Sequence, residues 1–156
     1  MLNRKRNNPI ITDIVCQVLV KTKSKDLIYS VLNEFIPNYT KLNLDYTGKP
    51  DNINYIFQSE DEMISCYIDT PNVAYTFYWS REENDIIVGA NITNDDQIVF
   101  SLTFHGTEDD KANMYLRLKK FLNAKIGVIS YVDPAYYENG SDFEAQFRDT
   151  IYDFEK

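Results

Sequence analysis

One histidine, two cysteines, five glycines, five prolines and one tryptophan are spread over 156 residues. A single histidine excludes any site that needs two imidazoles. No cysteine pair has zinc spacing, and there is no HExxH and no EF-hand loop. GxGxxG and GxxxxGK[ST] are also missing, so no phosphate-cradling loop can be read. These absences leave no residue pattern for a metal or cofactor, and none is expected. With so little Gly and Pro there is no room for a long flexible linker. There is no internal repeat, no low-complexity tract and no apolar run of membrane-spanning length. The opening "MLNRKRNNPIITD" is positively charged but lacks the apolar stretch of a secretory leader, so a cytoplasmic protein is expected. The sequons at Asn38, Asn91 and Asn139 carry no consequence in that setting. Cys16 and Cys66 sit in strand-like runs and read as buried thiols.

Positive charge is scarce where negative charge is dense. Residues 44–110 hold fourteen acidic and two basic side chains, whereas residues 111–132 hold five basic and none acidic. The net charge is −8. Such a middle segment repels phosphate backbones and membrane headgroups of like sign, and it attracts basic proteins. The same charge also keeps turns soluble and strand edges unpaired.

What the chain does have is apolar mass: 44% hydrophobic residues, with 12 Tyr and 9 Phe. That suits one domain over residues 1–156 with a buried core. "DIVCQVLVK" alternates, with Ile14, Cys16, Val18 and Val20 on one side and Asp13, Gln17 and Lys21 on the other, and predicts a strand. "SKDLIYSVLNEFIPN" carries Leu27, Ile28, Val31, Leu32 and Phe35 at helical spacing, with Ser24 as cap and Pro37 as stop. Residues 38–54 read as a polar loop with a short strand near residues 42–46. "NYIFQ" and "MISCYID" flank "SEDE" as a hairpin. "VAYTFYWS" and "IIVGANI" flank "REEND" as a second, and "QIVFSLTF" follows "TNDD".

The alternation puts Ile64, Cys66, Ile68, Tyr75, Phe77, Trp79, Ile86, Val88, Ala90, Ile92, Ile98, Phe100, Leu102 and Phe104 inward. It puts Ser65, Tyr67, Thr76, Tyr78, Ile87, Gly89, Asn91, Val99, Ser101, Thr103 and His105 on the opposite face. A helix capped by Thr107, with acids in its first turn and Met114, Tyr115, Leu118, Phe121 and Leu122 as its stripe, comes next. A strand "IGVISYV" and a last helix follow. That helix has Ser141 and Glu144 at capping-box spacing and Phe143, Phe147, Ile151 and Phe154 on one face. The expected fold is α+β: an antiparallel meander sheet with two to three helices packed mainly on one face.

Chemistry is thin. His105 with Glu108 nearby has the residue types of a general base, and Cys66 with His105 those of a Cys–His pair. No spacing supplies a nucleophile, so a hydrolase is the least favoured reading. The acidic runs at 60–62, 94–96 and 108–110 hold a cation only if their loops converge. Tyr67 and Tyr78 on an open sheet face have the shape for base stacking, which the surrounding carboxylates oppose.

The stretch "FYWSREENDIIVGANITNDDQIVFSLTFHGTEDD" and the amphipathic helix after it give the chain its character. In size, charge and general character it resembles the small acidic cytoplasmic immunity proteins of bacterial contact-dependent and other polymorphic toxin systems. The resemblance implies a non-catalytic inhibitor that binds one cognate toxin, often a basic nuclease, and blocks its active site or substrate path. Under it Glu60, Asp61, Glu62, Asp95 and Asp96 pair with toxin lysines and arginines. Tyr67 and Tyr78 serve as anchors, with Asn91 beside them. The partner is a protein, not nucleic acid or membrane, and the molecule is either a monomer or a homodimer. The alternative is an acidic secretion-type chaperone or a phage-encoded antagonist of a host protein.

Overall fold

The computed structural model describes residues 12–82 and 86–156. The basic opening stretch, and residues 83–85 of the turn expected after Trp79, lie outside the described residues. The fold is α+β, with one antiparallel five-stranded sheet and four helices. The strands are β1 (Thr12–Val20), β2 (Tyr75–Trp79), β3 (Ile87–Ile92), β4 (Ile98–Gly106) and β5 (Gly127–Tyr131), in the spatial order β2-β3-β4-β1-β5. β2, β3 and β4 form a meander, and β1 inserts between β4 and β5.

Period-two alternation decides the faces. Cys16 lies opposite Leu102, Ala90 opposite Phe100, and Phe77 opposite Ala90, so these residues share one face. That face is covered by α1 (Lys25–Phe35), α2 (Glu60–Asp69) and α3 (Glu108–Leu122), and it forms the main core around Trp79, Phe57, Phe77, Phe100 and Tyr115. Burying each large apolar side chain contributes about 1.5–3 kcal/mol. α4 (Gly140–Phe147) packs alone on the other face, where Phe143 joins Leu19, Val99 and Val128.

The expected caps of α1 and α3 are present. The Leu27 N–H donates to the Ser24 hydroxyl at 3.3 Å. Thr107 and Asp110 form a reciprocal capping box, the Thr107 N–H donating to the Asp110 carboxylate at 2.8 Å. Among the described residues no helix is long and apolar enough to cross a membrane.

The "SEDE" hairpin is overturned: "MISCYID" belongs to α2, and "NYIFQ" is not a strand. Ser59 caps α2 by accepting from the Glu62 N–H at 3.1 Å, and three carboxylates stand in the first turn, where the dipole favours them. Met63, Ile64 and Tyr67 then face the core at helical spacing. The strand expected near residues 42–46 is a turn closed by the Tyr46 N–H on the Asn43 carbonyl.

The last helix begins earlier and ends sooner than expected. Asn139, not Ser141, is its cap, accepting from the Asp142 N–H at 2.9 Å. The chain leaves the helix after Phe147, so that Tyr152 reaches β5. The Tyr152 hydroxyl receives the outward Ile129 N–H at 2.7 Å, while its ring stacks on Phe154. Ile151, expected on the buried face, is exposed.

Candidate functional site

The eight residues expected at a partner surface fall in three places. Glu60, Asp61, Glu62 and Tyr67 lie on α2. Asp95 and Asp96 lie in the β3–β4 turn. Tyr78 and Asn91 lie on the α4 side of the sheet.

On α2 two of the four point inward. Glu60 is only 6% exposed. Its carboxylate accepts from the Leu42 N–H at 2.7 Å, the Trp79 indole N–H at 3.0 Å and the Tyr39 hydroxyl at 3.2 Å. Tyr67 is buried, and its hydroxyl donates to the Gly48 carbonyl at 2.7 Å. Neither is displayed. The helical period, not the strand period, sets their direction.

Asp61 and Glu62 remain at the surface. Asp61 takes the Lys25 ammonium at 3.1 Å and the Tyr29 hydroxyl at 3.0 Å, and these bonds hold its pKa below the ordinary value. Glu62 accepts from the Gln58 N–H at 2.8 Å and from the Tyr55 hydroxyl, which ties the preceding loop to the helix end.

Asp95 joins the β3–β4 turn to α4. It accepts from Thr93, from the N–H groups of Gly140 and Ser141, both at 2.9 Å, and from the Ser141 hydroxyl. Burial raises its pKa, but these bonds outweigh burial and hold it down at about 2. A depressed carboxylate stabilises the fold above its unfolded pKa and loses that contribution as pH falls through the folded value. Asp95→Asn is therefore expected to cost about 1 kcal/mol at neutral pH. The gap from the parent protein should close between pH 3.8 and about 2, as read by urea unfolding across pH. A gap that persists unchanged in acid would contradict this role.

Asp96 accepts from the Asn72 N–H at 2.9 Å and pairs with Lys23 at 3.0 Å; the first bond, then the second, lowers its pKa. Lys23 also donates to the Tyr67 and Thr70 carbonyls, at 3.0 and 2.7 Å, at the C-terminal end of α2. Asp96 thus sits by the opposite end of α2 from Asp61 and Glu62.

Tyr78 and Asn91 do come together. They line a hollow of about 250 Å³ with Thr76, Ser101, Tyr136 and Tyr137. The Tyr78 ring packs over Gly89, where any Cβ would stand 3.0 Å from the ring and 2.3 Å from the Ser101 hydroxyl. Thr76 donates to the Asn91 side-chain carbonyl at 3.0 Å, and the Asn91 amide donates to the Tyr137 hydroxyl. Gln17, on the expected side of β1, is buried there: it exchanges two hydrogen bonds with the Ala135 backbone and so holds the far wall against the sheet.

The feature that alternation did not reveal is the α1–α2 connection. Residues 36–59 contain neither helix nor strand, yet they are held at many points. The Leu42 N–H meets Glu60, Gly48 meets Tyr67, and Lys49 and Asn52 exchange backbone bonds of 3.0 and 3.1 Å. Tyr46 stacks on Phe77 at 6.1 Å, and Tyr55 meets Phe57 edge-on at 5.2 Å. This anchored segment nevertheless leaves Ile53 83% and Ile56 61% exposed, with Leu44 and Tyr46 more than a third exposed. Asp45, Tyr46, Ile53 and Ile56 line a common hollow of about 350 Å³. Loops of this length without secondary structure are usually functional or disordered, and these bonds give the segment a fixed shape. The sequence signal was Ile53 among polar residues and Ile56 in the short run Tyr55–Phe57, too few to assign either to a face.

His105 pairs with Asp13 across β1 and β4 at 3.0 Å, both side chains open to solvent. Glu108 engages Lys111 instead. Cys66 is on α2, packed on the opposite side of the sheet from His105, so the Cys–His pair is excluded. Cys16 is buried in the core, and burial pushes its thiol up to about 12. The three acidic runs lie at the start of α2, in the β3–β4 turn and at the start of α3, and among the described residues no cluster of metal-binding side chains forms. Comparison with known proteins gives no matching family model, no matching curated protein and no matching solved structure.

Proposed function

We infer that the chain is a non-catalytic binding protein that neutralises a basic protein by direct contact, an immunity protein for a bacterial toxin. The observation that carries this reading is how charge is divided between interior and surface. Lys21, Lys23, Lys25, Lys111, Arg117 and Lys119 each pair with a carboxylate of the same chain. Asp26, Asp45, Asp51, Asp69, Asp109 and Asp149 are exposed and make no ion pair among the described residues. These six cations are matched within the fold, those six carboxylates stand unmatched at the surface, and the net charge of the chain is −8. Such a field repels nucleic acid and steers a cationic protein into contact.

The test is co-expression with the product of the adjacent coding sequence. A one-to-one complex that abolishes that product's toxicity is expected. Its association rate should fall roughly tenfold or more from low to physiological salt, because the steering field is screened over a Debye length of about 8–10 Å. A neighbour that is neither toxic nor bound removes the reading.

A further inference from the structure

We propose that the partner docks on the pinned segment of residues 43–56, with Ile53 and Ile56 as the anchors and Asp45 and Asp51 as the charged rim. For the charge of the partner this rests on the inhibitor reading above.

Two nearly bare isoleucines, 83% and 61% exposed, stand on backbone that is fixed rather than loose. Gly48 packs directly on the Ile53 carbonyl, where an added Cβ would lie 2.2 Å from the oxygen. The Lys49–Asn52 bridge closes the turn between them. Tyr55 ties its far end to Glu62. A segment held in one shape loses little conformational freedom when a partner covers it, so apolar contact there converts efficiently into affinity. Central apolar anchors ringed by polar groups are the usual anatomy of an energetic centre.

The flanking charge selects the occupant: Lys49, the cation of this segment, is drawn over the Tyr55 ring at 4.0 Å, and two carboxylates border it. Asp45 and Asp51 are exposed and without an ion pair among the described residues. A second copy would set these carboxylates against their own equivalents, and an anionic membrane or nucleic acid would be repelled by them. The complementary surface is therefore an apolar cleft on a protein, bordered by lysine or arginine. Glu62, bonded to the Tyr55 hydroxyl, extends the same rim from α2.

The experiment uses the full chain with the adjacent-gene product, measured by binding kinetics. Ile53→Ser with Ile56→Ser is expected to weaken Kd about 100-fold or more, with only a small change in the thermal midpoint, because both side chains are mostly exposed. Asp45→Asn with Asp51→Asn should slow association several-fold and flatten its salt dependence while leaving dissociation nearly unchanged. Ile151→Ser, an equally simple change at another exposed isoleucine, should leave Kd as it was. A parent complex that survives the isoleucine pair intact overturns the proposed surface and leaves the inhibitor reading standing. No complex with the parent chain overturns the inhibitor reading and the surface with it. Self-association of the parent chain that the isoleucine pair abolishes would assign the surface to a second copy and overturn the cationic partner.

Discussion

Replacing Glu60 by alanine is expected to lower stability by about 3–5 kcal/mol, since three donors lose a charged acceptor inside the protein. For a chain of this size that corresponds to a fall in Tm of roughly 10 °C or more. The donors come from two distant parts of the chain: Tyr39 and Leu42 in the long connection, and Trp79 at the end of β2. Glu60 is itself the first residue of α2, where the helix dipole favours an anion. A buried carboxylate with no ion pair among the described residues is thus sustained by directed N–H and O–H groups and the helix end. Glu60→Gln keeps one acceptor and the side-chain volume but places an NH₂ against a donor, so an intermediate loss is expected. Trp79 is the only tryptophan, and its emission should shift as its indole loses its partner. Unfolding curves for both variants that overlay the parent curve would show that this hub is not structural.

Gly48→Ala should have the next largest effect, about 2–3 kcal/mol from overpacking. The obstacle is space. The new Cβ would lie 2.2, 2.6 and 2.8 Å from the carbonyl oxygen, carbonyl carbon and Cα of Ile53, all backbone atoms with no rotamer to yield. The 48–53 turn must open, which strains the Lys49–Asn52 bridge and the Tyr67–Gly48 bond together. Faster amide exchange and faster proteolysis confined to residues 42–57 are expected before global unfolding. If the surface proposed above is correct, partner affinity falls too, although no contacting side chain has changed. Exchange rates in that segment equal to those of the parent would refute the tight fit.

The faces of the sheet were legible because period two is a backbone property. Every strand residue expected inward from Phe77 to Phe104 faces the helices, and Tyr78 and Asn91 were placed correctly on the other side. Alternation failed at Cys66 and Tyr67. A short apolar run fits strand and helix alike, and the Ser59 cap with its acidic first turn was the deciding signal. Glu60 was read as a surface charge because nothing in its neighbourhood announces donors that arrive from residues 39, 42 and 79. Gln17 was placed on the correct side of β1, but its burial was not legible, because its partner Ala135 is 118 positions away. Charge scarcity in the middle segment said correctly which sign predominates there, but not which carboxylates the fold would use for itself.

The Tyr152 hydroxyl on the Ile129 N–H has a consequence for crowded solution. A sheet lengthens into a filament only when successive molecules can add at both margins. Here the Tyr152 phenol occupies the Ile129 N–H on one margin, and just past the end of β2 on the other the Thr40 N–H reaches the Ser80 carbonyl at 3.1 Å. Removing that one phenol oxygen would leave the Ile129 N–H open on this margin, the smallest change that would offer it to a further strand.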